Sequence, residues 1–140
     1  MTIEIGLTGF FPSDYVPPGK PKVEIYRRLS SLATVEQLRD FEAELLDRFG
    51  PIPEEARPVL PLQELQILAR PWTLTRIHLE AEFAVFSYSD RRFMTLLQTR
   101  FPKRLRIVDG KQAYFILPGT ATDGMKLLGV LKTVLQPFSS

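Results

Sequence analysis

Apolar positions along this chain change period part-way, from helical spacing in the first half to strand-like alternation in the second. Val23, Tyr26, Leu29 and Leu32 recur at steps of three, and Pro21 stands where the first turn of a helix tolerates a missing N–H. Val35, Leu38, Phe41, Leu45 and Phe49 form a second stripe over residues 35–49. Thr34 and Gln37 open it as a capping box, and Gly50 supplies a left-handed stop. Pro51 and Pro53 preset the next turn, while Glu54 and Glu55 suit the N-terminus of a short helical turn near 53–57. Pro58 and Pro61 each lack a backbone donor, so a fresh helix is predicted only from Pro61 through Leu62, Leu65, Leu68 and Ala69, ending at Pro71.

Beyond residue 75 the pattern reads as strands. Residues 76–80 and 83–88 alternate around a tight connection at Ala81 and Glu82. Ser89 is expected to cap a helix whose apolar residues are Phe93, Leu96, Leu97 and Phe101, with Pro102 as its stop. Leu105 and Ile107, then Tyr114 to Leu117, flank Asp109-Gly110, a dipeptide that favours a tight hairpin. Thr122 or Asp123 caps a last helix through Leu127, Leu128, Leu131, Val134 and Leu135. At the start, Ile3, Ile5 and Leu7 alternate as a short strand, and the proline-rich residues 10–21 form a crossing segment held by Phe10, Phe11 and Tyr15. The fold class is therefore α+β: a mostly antiparallel sheet of about five strands packed with helices, a helical block preceding β-β-α-β-β-α. One domain over residues 1–140 is expected, with a strand and crossing segment over 1–21, the helical block over 22–70 and the strand-rich part over 75–136.

Composition changes the picture mainly by exclusion. With 44% hydrophobic and 24% charged residues the chain is an ordinary globular sequence, and it has no run approaching the roughly 18 apolar residues of a membrane span. No secretory leader is evident at Met1 to Ile5, so a cytoplasmic location is expected; a monomer without membrane contact is expected as well. Zero cysteines and one histidine, His78, leave no disulfide, thiolate nucleophile or Cys/His metal cluster, and no metal or cofactor is expected. There is no G-x-x-x-x-G-K-[ST] run, hence no P-loop. The net charge of +2 is uneven: residues 1–70 hold 8 basic and 11 acidic side chains, residues 71–140 hold 10 and 5, giving −3 and +5.

Two charged stretches are candidate surfaces. Glu36, Asp40, Glu44 and Asp47 fall within about an 80° arc opposite the apolar stripe of the second helix. Arg39 and Arg48 flank that arc, and among its carboxylates only Glu44 has a basic residue four positions downstream, so an acidic ridge mostly unpaired within its helix is expected. Exposed carboxylates of this kind have no neighbour to separate their pKa values, which argues against acid/base catalysis. Reversing Glu44 and Asp47 is expected to spare the fold. The basic run Arg91, Arg92, Arg100, Lys103, Arg104, Arg106 and Lys111 could follow a phosphate backbone, or simply be a solvated helix and hairpin edge. His78 lies mid-strand without a triad, Asp14 and Asp123 read as turn or cap residues, and Trp72 as a loop anchor.

The run Glu44-Leu45-Leu46-Asp47-Arg48-Phe49-Gly50-Pro51-Ile52-Pro53-Glu54-Glu55 resembles the E-L-x-D-R-F-G-x-[LI]-P-E-E motif in the C-terminal domain of the bacterial transcription-repair coupling factors, the Mfd family. Upstream, Pro12-Ser13-Asp14-Tyr15-Val16-Pro17 and Tyr26-Arg27-Arg28-Leu29 are similar to that domain's P-x-D-[YF]-[IV]-P and Y-[KR]-[RK]-[LI], in the same order. The resemblance implies a non-catalytic regulatory domain of an ATP-dependent DNA translocase. In that family the domain docks on the UvrB-like module of its own parent and restrains UvrA recruitment and motor activity until RNA polymerase is engaged. It implies contact roles for Glu44 and Asp47, with DNA held by the parent's motor and not by this domain. The rival expectation is a nucleic-acid-binding accessory module using the basic 91–111 segment.

Overall fold

Proline and glycine positions set where the helices begin and stop. In the computed structural model, which describes residues 1–119 and 123–137, α1 (Lys20–Ser31) opens with Pro21 in its first turn, behind Gly19 at φ 90°. The α2 helix (Val35–Phe49) is capped by Thr34, whose hydroxyl accepts the Gln37 N–H at 3.1 Å. Gln37 reaches back one residue further than a reciprocal capping box requires, its Oε1 accepting the Ala33 N–H at 2.8 Å. Gly50 ends the helix at φ 87°, a conformation costly for any residue with a Cβ. A 3-10 turn over Glu54–Ala56 follows as expected. The next helix, α3 (Val59–Ala69), begins ahead of Pro61, because a proline in the first turn removes an N–H that has no intrahelical acceptor anyway.

The chain groups into two compact units, residues 8–67, and residues 1–7 together with 68 onward. In the first, Phe11, Val16, Ile25, Leu29, Leu38, Phe41 and Leu45 form the buried centre with Ala56, Val59, Leu60 and Ile67. Two expected core residues point outward. Val23 is exposed because the inward stripe of α1 centres on Ile25 and Leu29, and Val23 sits about 200° round from Ile25. Phe10 is exposed because neighbours on an extended chain face opposite sides, and Phe11 takes the inward position.

The second unit carries a five-stranded mixed sheet in the order β1-β2-β3-β5-β4. Its strands are β1 (Thr2–Glu4), β2 (Leu74–Glu80), β3 (Phe83–Tyr88), β4 (Leu105–Ile107) and β5 (Gln112–Ile116). Only β1 and β2 are parallel, with Ile3 opposite Ile77. The first strand stops earlier than the alternation to Leu7 suggests, since Gly6 turns the chain at φ 72°. Ala84, Phe86 and Tyr88 alternate inward on β3, and Phe86 stacks on Phe115 of β5 at 6.2 Å between centroids.

The helix α4 (Arg91–Arg100) is capped by Asp90 rather than Ser89, Asp90 Oδ1 accepting the Arg92 N–H at 3.0 Å. Its buried residues are Met94 and Leu97, while Leu96 is exposed and Phe93 only half-buried, so the expected stripe is out of phase. The β4–β5 connection is a longer loop than a two-residue turn: Asp109 Oδ1 accepts the N–H groups of Lys111 at 2.7 Å and Gln112 at 2.9 Å, and the side chain closes the turn. The α5 helix (Gly124–Val134) is capped by Asp123, which accepts the Lys126 N–H at 2.8 Å; the alternative cap Thr122 lies outside the described residues. Trp72 is an anchor, buried and donating Nε1–H to the Leu135 carbonyl at 2.9 Å. Among the described residues no helix is long and apolar enough to cross a membrane, and no acidic, histidine or cysteine cluster has the makings of a metal site.

Candidate functional site

The stripe that buries Leu38, Phe41 and Leu45 turns the opposite face of α2 outward. Glu36, Asp40 and Asp47 lie on that face, exposed and, among the described residues, without an ion pair. Glu44 differs. Arg28 of α1 grips both its oxygens, Nη1 on Oε2 and Nη2 on Oε1 at 2.7 Å, while Arg48 adds a contact to Oε2 at 3.1 Å. The hydrogen bonds from Arg28 and then Arg48 hold the Glu44 carboxyl down from 4.5 to about 2. Both guanidinium groups also lie over rings, Arg28 above Phe41 at 5.3 Å and Arg48 above Phe49 at 4.9 Å. The ridge is thus not uniformly unneutralised. One of its four carboxylates is balanced inside the molecule, and the other three face solvent.

That clamp corrects the expectation that Glu44 is freely replaceable. A lysine at 44 would face two arginines, so the reversal expected to spare the fold would instead break the tie between α1 and α2. The signal was present in the sequence as Arg28 within Tyr26-Arg27-Arg28-Leu29, but no reading of a single helix pairs it with a residue on the next one. Two tyrosines tie neighbouring segments in the same way. Tyr26 OH accepts the Phe11 N–H at 2.8 Å, and Tyr15 OH donates to the Gly50 carbonyl at 2.9 Å. Burial pushes the Tyr15 hydroxyl above its ordinary range, which keeps it a donor. The motifs around Tyr15, Tyr26 and Glu44 therefore meet in space. Beside the acidic arc, Ala43 and Leu46 are exposed, adding apolar surface that the sequence pattern alone does not single out.

The basic run is dispersed. Arg91 and Arg92 lie at the start of α4, where Asp90 holds Arg92 at 2.7 Å. Arg100 lies over the Trp72 ring at 5.3 Å and donates to carbonyls at the end of α5, including that of Val134 at 3.3 Å. Arg104, Lys103, Arg106 and Lys111 are all exposed, and Arg104 gives one N–H to the Ile116 carbonyl at 3.2 Å. Lys103, Arg104 and Arg106 line one small pocket with Gln98, while Arg91, Arg92 and Arg100 belong to α4. His78 Nε2 lies 3.3 Å from Glu80 Oε1, whose other oxygen accepts the Tyr114 hydroxyl at 2.8 Å; this is a clip across the sheet surface with no nucleophile in it.

With this geometry in hand, comparison with known proteins places the chain. The family profile described as "TRCF domain" matches residues 5–98, more than half of the chain. The transcription-repair-coupling factor of Borreliella burgdorferi is 37% identical over 75 residues, 54% of this chain and 7% of that protein. The factor of Bacillus subtilis is 34% identical over 68 residues, 49% of this chain and 6% of that protein. This chain therefore spans less than a tenth of the length of those relatives. Among solved structures, the C-terminal domain of a transcription-repair coupling factor superposes with a TM-score of 0.77, covering 94% of this chain and 87% of that one. At 14% identity that likeness is one of fold. The matched motifs, the family profile and the shared α+β architecture together establish that this chain belongs to the TRCF domain family of the transcription-repair coupling factors.

Proposed function

We propose that this chain is a non-catalytic regulatory domain of a transcription-repair coupling factor, and that the outer face of α2 docks on the UvrB-like module of its own parent protein. By covering that module the domain restrains UvrA recruitment and motor activity until RNA polymerase is engaged; DNA is held by the parent's motor. One observation carries the reading: Glu36, Asp40 and Asp47 stand exposed and uncompensated on one arc, while Glu44 is fixed by Arg28 and Arg48. The clamp holds the face rigid, so docking does not have to order the helix first. Exposed ion pairs contribute little singly, and the neighbouring apolar surface of Ala43 and Leu46 supplies what they lack. A regulatory lock needs a coupling of typically 1–3 kcal/mol, about 5- to 150-fold in affinity.

The test uses the full-length parent with Asp40→Lys and Asp47→Lys, leaving Glu44 intact. Like charges then meet across the interface, and UvrA capture and polymerase-independent ATPase activity should both rise. Unchanged UvrA capture with an unchanged melting curve of the isolated 140-residue chain would sink the proposal.

A further inference from the structure

The sheet-bearing unit has a groove of about 650 Å³ whose chemistry is opposite to that of α2. Its floor is aromatic: Phe101, just after α4, meets Phe115 of β5 edge-to-face at 5.5 Å between centroids. Val130 and Val134 of α5 form one wall. That wall is low at Gly129, where a Cβ would meet nothing within 4 Å. Two exposed cations, Arg104 and Lys126, also line the groove; among the described residues neither is in an ion pair and no carboxylate lines it. The unit as a whole agrees in sign: residues 1–7 and 68–140 hold 11 Lys/Arg and 6 Asp/Glu, a net charge of +5.

We infer that this groove binds an acidic amphipathic segment of a partner protein, an apolar side chain seated on Phe101 and Phe115 with flanking carboxylates on Arg104 and Lys126. Apolar floor and cationic lining together select both halves of such a segment, and the excess positive charge steers its approach. The groove is wide open to solvent, whereas a small ligand needs most of its surface enclosed. A segment whose remaining contacts lie outside the groove does not depend on such enclosure. Binding here does not depend on docking by α2, and the groove is a second surface of opposite charge.

The test is a titration of the isotope-labelled 140-residue chain, followed by NMR, with a short end-capped peptide carrying leucine and phenylalanine on one helical face and glutamates beside them. A matched peptide has glutamine for each glutamate. The acidic peptide should shift the amide signals of Phe101, Phe115, Val130 and Val134 and bind about tenfold more tightly at low salt than the glutamine peptide, a preference that salt erodes. Gly129→Leu fills the groove while improving helix propensity, so it should abolish binding with the fold intact. Arg104→Glu with Lys126→Glu should remove the preference for the acidic peptide. Equal affinity for both peptides, or binding untouched by Gly129→Leu, would overturn the inference. So would phenylpropionate reproducing the shifts at the peptide's affinity, which assigns the groove to a small acid. Self-association abolished by Gly129→Leu would assign it to a second copy of the chain and overturn it equally.

Discussion

Residues 8–67 and the sheet-bearing unit achieve their order by different means. A helix satisfies its backbone internally, so the mutual placement of α1, α2 and the crossing segment has to come from side chains. It comes from Tyr26 on Phe11, Tyr15 on Gly50 and Arg28 on Glu44, each joining residues 15 or more apart. In the other unit the backbone ladder itself fixes neighbours, with β3 paired on both sides by β2 and β5. Its polar side-chain ties either join strands that the ladder already orders, as Arg76 on Glu4 at 2.8 Å does, or sit at ends and corners, such as Tyr88 on the Asp109 carbonyl at 2.6 Å and Trp72 on Leu135. The contrast teaches why the recognisable motifs cluster around Tyr15, Tyr26 and Glu44. Where side chains carry the architecture, residue identity is constrained; where backbones carry it, the hydrophobic pattern sets the register. Charge follows the same division, residues 8–67 holding 7 Lys/Arg and 10 Asp/Glu for −3 against +5 in the other unit.

The largest expected effect tests whether the two units are separate in stability as well as in construction. Phe41, 2% exposed, lies in the helical core, and Phe86, 0% exposed, in the sheet core; truncating either to alanine should cost about 3–5 kcal/mol in the unit that holds it. Hydrogen exchange should show protection lost first over residues 8–67 for Phe41→Ala and over the sheet for Phe86→Ala. Equal loss of protection in both units from either variant would break the comparison.

A smaller effect isolates the clamp. The Glu44 carboxyl is lowered from 4.5 to about 2, so the clamp's contribution is fully present above pH 4.5 and is lost as pH falls toward 2. The side chain is 36% exposed, and solvent screening limits the contribution to about 1 kcal/mol. Glu44→Gln should therefore be less stable than the parent chain by about that amount at neutral pH. The gap should narrow below pH 4.5. A gap independent of pH would show that the loss is one of packing rather than of the ion pair.

How far the sequence announces these features depends on the distance between partners. The capped start of α2, its buried stripe and its stop at Gly50 are all legible because every interaction lies within one helix. A cap at Thr122 or Asp123 and the hairpin around Ala81 are legible because their partners lie a few residues apart. The parallel pairing of Ile3 with Ile77 is not, since alternation declares a strand but not its neighbour. Periodicity also gives a stripe without its exact phase, which is why Met94 is buried where Phe93 and Leu96 were expected. Within the candidate site, an exposed arc is legible from helical geometry. The fate of each carboxylate is not, because Arg28 reaches Glu44 from another helix, 16 residues away.

The smallest effects test the claim that backbone rather than side-chain identity governs the sheet unit. Among the described residues, two other than glycine have positive φ, Ala81 at 52° between β2 and β3 and Thr73 at 59° ahead of β2. A Cβ in the left-handed region costs roughly 1–2 kcal/mol, which glycine removes, while glycine also makes the unfolded chain more flexible by about 0.5–1 kcal/mol. At Ala81 nothing else changes, because its methyl group is exposed, so Ala81→Gly should stabilise by about 0.5 kcal/mol. Thr73 has the same backbone strain but a working hydroxyl: its Oγ1 accepts the Asp90 N–H at 3.0 Å, beside the Ser89 N–H donated to its carbonyl at 3.0 Å. Thr73→Gly loses the first of these bonds and leaves a half-buried donor without its acceptor, a cost of about 1–3 kcal/mol that outweighs the relief of strain. Denaturant melts should therefore move in opposite directions for the two glycines. Destabilisation by both would show that the Ala81 methyl matters to the hairpin, and that residue identity constrains the sheet unit more than its ladder implies.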